Sequence, residues 1–204
     1  DLSLYLILLS GLKCLLHIYT GSSEIIVGSP VYTVTSSKRT INDFVPVINE
    51  ITGDMTFKDC VVNIRKTLLE GYDNQDFPMP KVLEEVDPSY KENNRLPFSI
   101  LCLMESIHNK GLTDNGDCEI AVSFRKDNEA VECDVKYDTG VFHEHTMELV
   151  VTYFNKLLEN VIYNVDIKVS DMRILTEEEE KQVISEFNNT FTEYPKDKTI
   201  VGLF

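Results

Sequence analysis

Residues 71–86 read GYDNQDFPMPKVLEEV and predict a rigid corner between two helices. Gln75 and Asp76 can satisfy the open hydrogen-bonding groups at the end of the first helix. Pro78 and Pro80 forbid continuation of that helix because proline lacks an amide donor, and both suit the first turn of the next helix. The corner therefore separates two helical elements at a fixed geometry.

Apolar periodicity predicts a long helix before this corner and another much later in the chain. The first covers residues 57–72, with Thr56 as its N-cap. Its apolar face carries Phe57, Val61, Ile64 and Leu68. The second helix has a stripe made of Met147, Val150, Val151, Phe154, Leu157, Leu158, Val161 and Ile162. Apolar residues at this spacing must lie against a core.

Runs rich in β-branched and aromatic residues predict five strands. They are residues 25–34, 44–51, 98–104, 119–124 and 131–137. Residues 125–129 form a polar turn of hairpin length between the last two strands. Because strands and helices alternate, the predicted fold class is α/β, with a mixed sheet packed with helices.

The composition argues against several classes of function and partner. The formal charge of −15 disfavours nucleic acid or an anionic membrane as a partner. The most apolar run, residues 4–9, is about half the length of a membrane span and predicts a buried helix. His143 and His145 stand two apart at the start of a helix, where side chains diverge, so no metal site is expected.

Five cysteines without a Cys-x-x-Cys pattern indicate a reduced, cytoplasmic chain. Cys14, Cys60 and Cys102 lie on apolar faces and are predicted to be small core residues.

The corner resembles a signature of condensation domains from nonribosomal peptide synthetases, Tyr-x-His-Gln-Asp-Val-Pro-Phe-x-x-Leu-Val-x-x-Leu. Other segments are similar to motifs of the same family and occur in the same order. They are HIYTG at 17–21, EIIVGSPV at 24–31, RLPFSILCLM at 95–104, YDTGVF at 137–142, and LTEEE, FNNT, YP and TIVGLF between 175 and 204. The resemblance therefore covers the whole chain.

The resemblance implies one lobe of the chloramphenicol-acetyltransferase-like fold, in which two lobes form a V around a tunnel. Residues 1–174 would be the C-terminal subdomain of a condensation domain, and residues 175–204 the linker leading to an adenylation domain. Part of residues 119–137 would cross to the other lobe. In this family an acceptor amine attacks a donor thioester, and carrier proteins deliver both substrates on phosphopantetheine.

The implied partners are the N-terminal half of the condensation domain, peptidyl carrier proteins and an adjacent adenylation domain. No cofactor is expected to bind this chain directly, since the phosphopantetheine belongs to the carriers. The family's His-His-x-x-x-Asp-Gly motif is absent, because no two of the four histidines are adjacent. The chain is therefore expected to contain no catalytic residue and to be a fragment of the active domain.

Residues 39–48 occupy the place of the family's Ile-Gly-x-Phe-Val-Asn-Thr pattern, which lies near the tunnel. Asn42 replaces the glycine, Pro46 replaces the functional asparagine, and Ile51 stands where an arginine is expected. The candidates for lining the tunnel are Phe44, Val45 and Pro46, and the motif corner comprises Gln75, Asp76 and Pro78. Proline offers neither an amide donor nor a side-chain hydrogen bond, so it cannot make the contacts of asparagine.

Two functions remain open at this point. The chain is the C-terminal half of an amide-forming condensation domain, serving the biosynthesis of a peptide antibiotic or other secondary metabolite. Alternatively, it is part of a degenerate, non-catalytic condensation-like module that docks carrier proteins or partner enzymes. The amino acids joined and the stereochemistry of the donor are not encoded in any motif of this chain.

Overall fold

The computed structural model describes residues 1–32, 42–86, 96–109, 111–112, 118–128 and 130–182. Its helices are α1 Leu2–Thr20, α2 Phe57–Asp73, α3 Met79–Val86, α4 Glu144–Tyr163 and α5 Glu177–Lys181. Its strands are β1 Glu24–Pro30, β2 Phe44–Glu50, β3 Ile100–Met104, β4 Ile120–Asp127 and β5 Ala130–Tyr137. The chain divides into two compact units, Asp1–Arg173 and Ile174–Phe204, and α5 belongs to the second.

Local signals in the sequence set the helix boundaries. Helix α1 ends at Gly21, which takes a φ of 70°, a left-handed conformation that glycine adopts without strain. The N–H of Gly21 donates to the carbonyl of His17. Helix α2 begins with a capping box, in which Thr56 Oγ1 accepts from the N–H of Asp59 and the Asp59 carboxylate accepts from the N–H of Thr56. The predicted cap at Thr56 is therefore confirmed.

The five described strands form one mixed sheet in the order β2-β1-β3-β4-β5. Strands β1 and β2 are antiparallel, β1, β3 and β4 run parallel to one another, and β5 returns antiparallel to β4. This arrangement confirms the predicted mixed sheet packed with helices. Strand β2 lies at one end of the sheet, and β5 lies at the other.

Helices cover one face of the sheet. On this face α1 contacts β1 and β3, since the Tyr5 hydroxyl lies 2.8 Å from both Ser29 Oγ and the carbonyl oxygen of Cys102. Helix α4 packs on β4, where the rings of Phe124 and Phe154 lie 5.8 Å apart. The largest fully buried side chains are Tyr5, Lys13, Phe124, Leu9, Leu15, Ile51, Ile64, Leu68, Leu101, Leu103, Met104 and Leu157.

The other face of the sheet carries a smaller apolar cluster. It consists of Phe44, Phe98, Leu101, Leu103 and Ala121. The ring of Phe98 lies edge-on to Phe44, with 6.0 Å between the ring centroids. It also covers Gly28, where an added Cβ would stand 2.2 Å from Phe98 Cε2. Glycine is therefore required at position 28 for this ring to reach the sheet.

The structure corrects several predicted details. Ile162, placed on the apolar stripe of α4, is 77% exposed, while Tyr153 of the same helix is buried. The stripe is correct up to Val161, which is 6% exposed, and Ile162 does not belong to the buried face of α4. The hairpin turn is shorter than predicted, because β4 continues to Asp127 and pairs with Ala130. Residues 33–34 of the predicted first strand lie outside the described residues.

By length and apolar composition alone, α1 could cross a membrane, and it is the one described helix of which this is true. In this fold it is a core helix: Leu6, Leu8 and Leu9 are buried, although Ile7 is exposed. The buried helix predicted around residues 4–9 is therefore confirmed. Cys14, Cys60 and Cys102 are also buried, as predicted.

Candidate functional site

The polar corner predicted from the sequence joins α2 to α3, but its residues act differently from the prediction. Asn74 caps α2 through Nδ2, which donates to the carbonyl of Glu70 at 2.8 Å. Gln75 contributes its backbone N–H to the carbonyl of Tyr72, while its side-chain Oε1 accepts from the N–H of Tyr32 at 3.1 Å. Asp76 is exposed. The side chain of Gln75 thus ties the corner to the end of β1 and does not cap the helix.

Pro78 and Pro80 act as predicted at the start of α3. Helix α2 has ended at Asp73, and α3 begins at Met79, between the two prolines. Pro80 therefore lies in the first turn of α3, where a missing N–H breaks no hydrogen bond within the helix.

Asn42 holds the corner in place, a role that the sequence did not indicate. Its Nδ2 donates to the carbonyls of Gln75 at 2.5 Å and Phe77 at 2.6 Å. Its Oδ1 accepts from the N–H of Met79 at 2.9 Å. Asn42 is 7% exposed, so these three bonds replace water for every polar atom of its side chain. The signal available in the sequence was a lone asparagine where the family resemblance gives a glycine.

A groove of about 470 Å³ opens between β2, the second half of α2 and α3. Its walls are mostly apolar, with one charged side chain, Glu70, among the described lining residues. The lining consists of Asn42, Val45, Pro46, Ile48, Thr67, Glu70, Gly71, Asn74, Phe77, Met79 and Val82. A groove of this size and character can hold a small, largely neutral chain.

The three residues proposed to line a tunnel separate in the structure. Val45 and Pro46 both contribute to the groove. Phe44 packs instead in the apolar cluster on the sheet and is 8% exposed. Ile51, at the position of the family's arginine, is 1% exposed. Phe44 and Val45 point to opposite faces of β2, whereas Pro46, which alternation places on the side of Phe44, also contributes to the groove.

Pro46 lies on β2, the end strand of the described sheet, opposite Gly28 in the register. Proline is tolerated there because an end strand has one side without a ladder partner. The prediction that Pro46 lies at a strand edge is therefore confirmed. Its place in a tunnel stays a prediction.

A buried polar network runs behind the corner. Tyr72 Oη lies 3.0 Å from Ser29 Oγ and 2.9 Å from His108 Nε2. The N–H of Met104 donates to His108 Nδ1, so the ring proton is on Nε2 and points at Tyr72. Burial lowers the pKa of His108 to about 4, and it raises the pKa of Tyr72 well above its ordinary value. His108 is thus neutral near pH 7 and serves to orient Tyr72.

Lys13 is a second polar group that the sequence did not place in the core. It is fully buried, and its Nζ donates to the carbonyl of Val47 at 2.7 Å and to Asn49 Oδ1 at 2.6 Å. Asn49 in turn donates to Thr67 Oγ1 of α2. Desolvation lowers the pKa of Lys13 to about 7. Lys13 therefore connects α1, β2 and α2 beneath the groove.

In the part of the chain that the structure describes, no three His, Cys, Asp or Glu side chains come together as metal ligands. His145 lies 3.6 Å from Glu148 on the surface of α4, where the side chain of His145 is 79% exposed.

A family model of the condensation domain matches residues 1–184. The chain belongs to the condensation domain family. Among curated proteins, surfactin synthase subunit 1 of Bacillus subtilis (strain 168) is 31% identical over 221 aligned residues. The match takes in 99% of this chain and 6% of that protein. The condensation-domain chain thus spans a small part of the curated relatives that it matches.

Solved structures share the fold of this condensation-domain chain. The first condensation domain of the CDA synthetase matches with a TM-score of 0.66 and 12% identity, covering 84% of this chain and 42% of that one. The four-domain nonribosomal peptide synthetase AB3403, bound to AMP and glycine, matches with a TM-score of 0.71 and 16% identity. That match covers 87% of this chain and 16% of the synthetase. The fold is that of the chloramphenicol-acetyltransferase-like condensation domains.

Proposed function

We propose that this chain is the C-terminal half of a condensation domain in a nonribosomal peptide synthetase, which joins carrier-bound aminoacyl and peptidyl thioesters through an amide bond. The observation that carries the proposal is the extent of the structural match, since 84% of this chain corresponds to 42% of the solved first condensation domain of the CDA synthetase, and the ordered motifs favour the C-terminal half. Residues 1–174 form the subdomain in this proposal, and residues 175–204 are the linker to an adenylation domain. The division of the chain after Arg173 supports that boundary.

The chemistry in this proposal depends on a histidine from the N-terminal half of the domain. His108 is unsuited to accept a proton from a substrate, because both of its ring nitrogens are held by Met104 and Tyr72. His17 Nδ1 lies 2.7 Å from the carbonyl of Ser22, at the end of α1. This half therefore binds and orients substrates, and orientation by itself contributes a large part of the rate of an amine attack on a thioester.

The groove beside β2 is the part of this half that faces substrate in the proposal. Val45 and Pro46 form one wall, and Phe77, Met79 and Val82 belong to the corner and α3. Apolar walls with few polar groups suit an aminoacyl side chain, whose size the groove limits.

The proposed partners follow from this role. They are the N-terminal half of the domain, peptidyl carrier proteins and a following adenylation domain, in a cytoplasmic synthetase. The phosphopantetheine arm enters on the carrier protein, and the chain binds no cofactor of its own. The product would be a peptide of the antibiotic or secondary-metabolite class.

One observation favours the second candidate, a non-catalytic module that docks carriers or partner enzymes. Pro46 stands where the resemblance places a functional asparagine, and the nearby Asn42 cannot substitute for it, because its side chain is fully used in the corner. The histidine motif in the N-terminal half distinguishes the two candidates. Loss of its second histidine would favour the docking module.

The proposed function is tested by reconstitution with donor and acceptor aminoacyl carrier proteins. The natural protein that carries this chain should form dipeptidyl thioester, detected by mass spectrometry. The chain by itself should give no product above a no-protein background, because the acid-base histidine is missing from it. Product from the isolated chain, or none from the natural protein, would refute the proposal.

A further inference from the structure

We propose that Asn42 is a positioning residue that sets the width of the groove and thereby the range of substrate side chains accepted. The inference rests on the proposed function and deepens it. Asn42 is two residues before β2, and its side chain fastens the corner and the start of α3. It therefore links the two walls of the groove.

Every polar atom of the Asn42 side chain is hydrogen-bonded, and the three bonds divide between two tasks. Both hydrogens of Nδ2 go to carbonyls of the corner, those of Gln75 and Phe77. Oδ1 accepts from Met79, whose N–H opens α3 and has no partner within that helix. Pro78, the residue before α3, has no side-chain acceptor that could cap the helix. Asn42 supplies that acceptor from a distant point in the chain.

The consequence for the groove follows from what the clamp holds. The corner carries Phe77, and the first turns of α3 carry Met79 and Val82, and all three line the groove. The opposite wall, Val45 and Pro46, begins three residues after Asn42 in the chain. All three bonds come from the one Asn42 side chain, so its removal frees the corner and α3 to move away from β2.

Asn42 positions the groove and does not bind substrate through hydrogen bonds. It lines the groove, but both of its donors are used, Oδ1 already accepts from Met79, and the residue is only 7% exposed, so it is poorly placed to bind a ligand through hydrogen bonds. A glycine, which the resemblance gives at this position, could make none of the three bonds. The clamp is therefore a property of this chain, and it adds to the tether that the Gln75 side chain makes with Tyr32.

The test uses the natural protein that carries this chain and the variants Asn42→Ala and Asn42→Asp. Asn42→Asp keeps an acceptor for Met79 and removes the two donors, so it separates the capping bond from the corner bonds. The matched control is Asn160→Ala on α4. Asn160 Nδ2 also donates to two backbone carbonyls, those of Lys156 and Arg173. Asn160→Ala should lower the free energy of unfolding about as much as Asn42→Ala does, but it should leave the groove unaffected.

Two readouts are measured on these proteins. Hydrogen exchange of the Met79 amide should accelerate at least about tenfold in Asn42→Ala and remain unchanged in Asn160→Ala. The KM for the natural acceptor should rise about tenfold in Asn42→Ala, with kcat within about twofold, and larger acceptors should become better substrates. In Asn42→Asp, Met79 should stay protected while the range of acceptors still widens.

The outcomes separate this inference from the proposed function. Unchanged exchange at Met79 in Asn42→Ala would overturn the clamp. Faster exchange with the acceptor range and KM of the wild type would overturn the link between the clamp and specificity. If the wild-type protein forms no amide at all, the proposed function fails, and the link to specificity fails with it. The hydrogen-exchange result at Met79 still decides whether the clamp exists. If Asn42→Ala does not fold, Asn42→Asp tests the two corner bonds through the acceptor range, and a range like that of the wild type would overturn the link between the clamp and specificity.

Discussion

His108 illustrates how a single buried residue makes the stability of this protein depend on pH. It is 5% exposed, accepts from the N–H of Met104 and contacts Tyr72, and its ring also packs edge-on against Tyr5, with 4.7 Å between the centroids. Protonation would remove the acceptor at Nδ1 and place a charge in the core. Burial accordingly lowers its pKa to about 4.

We predict that acid destabilises the protein through His108. The unfolded chain has a His108 pKa near the ordinary value of 6.5, so between that value and about 4 it binds more protons than the folded chain. The neutral His108 ring makes its full contribution to the free energy of unfolding above pH 6.5. That contribution, about 3 kcal/mol, is lost as the pH falls toward 4.

Urea unfolding of the wild type and of His108→Gln at several pH values checks this prediction. The variant should be less stable by about 1 to 3 kcal/mol near neutral pH, and the difference should shrink or reverse near pH 4.5. The control His145→Gln removes an exposed histidine and should follow the wild type. A difference between wild type and His108→Gln that does not vary with pH would contradict the assignment.

Pro46 gives a second prediction at the scale of one residue. Pro46→Asn restores the residue that the resemblance expects, on an end strand where a new N–H can reach water. In the natural protein it should change the condensation rate or acceptor preference severalfold, with a change in stability within about 1 kcal/mol. Steady-state kinetics and thermal melting decide the matter. Unchanged kinetics with a large loss of stability would make Pro46 a structural residue.

At the scale of elements, the sheet depends on close approach between Phe98 and β1. Gly28→Ala would place a Cβ 2.2 Å from the ring of Phe98, in a cluster that includes Leu101 and Phe44. The Phe98 ring or strand β1 must move to relieve this overlap, so we predict that Gly28→Ala lowers the free energy of unfolding by about 3 kcal/mol. Chemical denaturation of the chain measures it.

A matched glycine provides the control for this prediction. Gly71 lies in α2, and a Cβ there would be 3.6 Å from Val45, an ordinary contact. Gly71→Ala should therefore leave stability unchanged or raise it by up to about 1 kcal/mol, since alanine favours helix more than glycine. Equal destabilisation by both substitutions would show that the contact with Phe98 is not the cause.

The β4–β5 hairpin gives a second prediction at this scale. Strand β5 ends the described sheet, and Glu132, Cys133 and Asp134 are exposed, as is Val131 at 42%. The resemblance implies that part of this region crosses to the other lobe, so in the isolated chain we expect it to be mobile or to self-associate. Hydrogen exchange of β5 should be much faster than that of α4. Equal protection of β5 and α4 in a demonstrated monomer would contradict this expectation.

At the scale of the whole molecule, the chain contains two compact units, and the second should be dispensable for folding of the first. Helix α5 carries a capping box in which Thr176 Oγ1 accepts from the N–H of Glu179, a local interaction that contributes little to the unit before it. The sequence of this segment continues with apolar residues at helical spacing, Val183, Ile184 and Phe187, which lie outside the described residues.

We predict that deletion of the residues after Leu175 leaves the first unit folded. Its melting temperature should fall by no more than about 4 °C, while coupling to a following adenylation domain should weaken. Circular dichroism and thermal melting of the truncated chain check the first part, and a pull-down with an adenylation domain checks the second. Cooperative loss of the whole fold would place the segment in the core.

The sequence by itself determined those features that depend on neighbours along the chain. Helix α2 was predictable because its apolar spacing, the cap at Thr56 and the prolines after it act within a few residues. The strands and the mixed sheet followed from alternation and element order, and the family followed from ordered motifs. The exposure of Ile162 was not predictable, because spacing alone does not show how much of an apolar stripe is covered by neighbouring elements.

Tertiary structure decided the partners of polar side chains, which lie far apart in the chain. Asn42 reaches the corner across 33 to 37 residues, and Tyr5 reaches the carbonyl of Cys102 across 97. Lys13 looks like a surface residue in the sequence, yet it is fully buried because Val47 and Asn49 supply its acceptors. A buried polar group is stable only where such partners converge. Neither periodicity nor composition encodes that convergence, because folding alone brings these segments together.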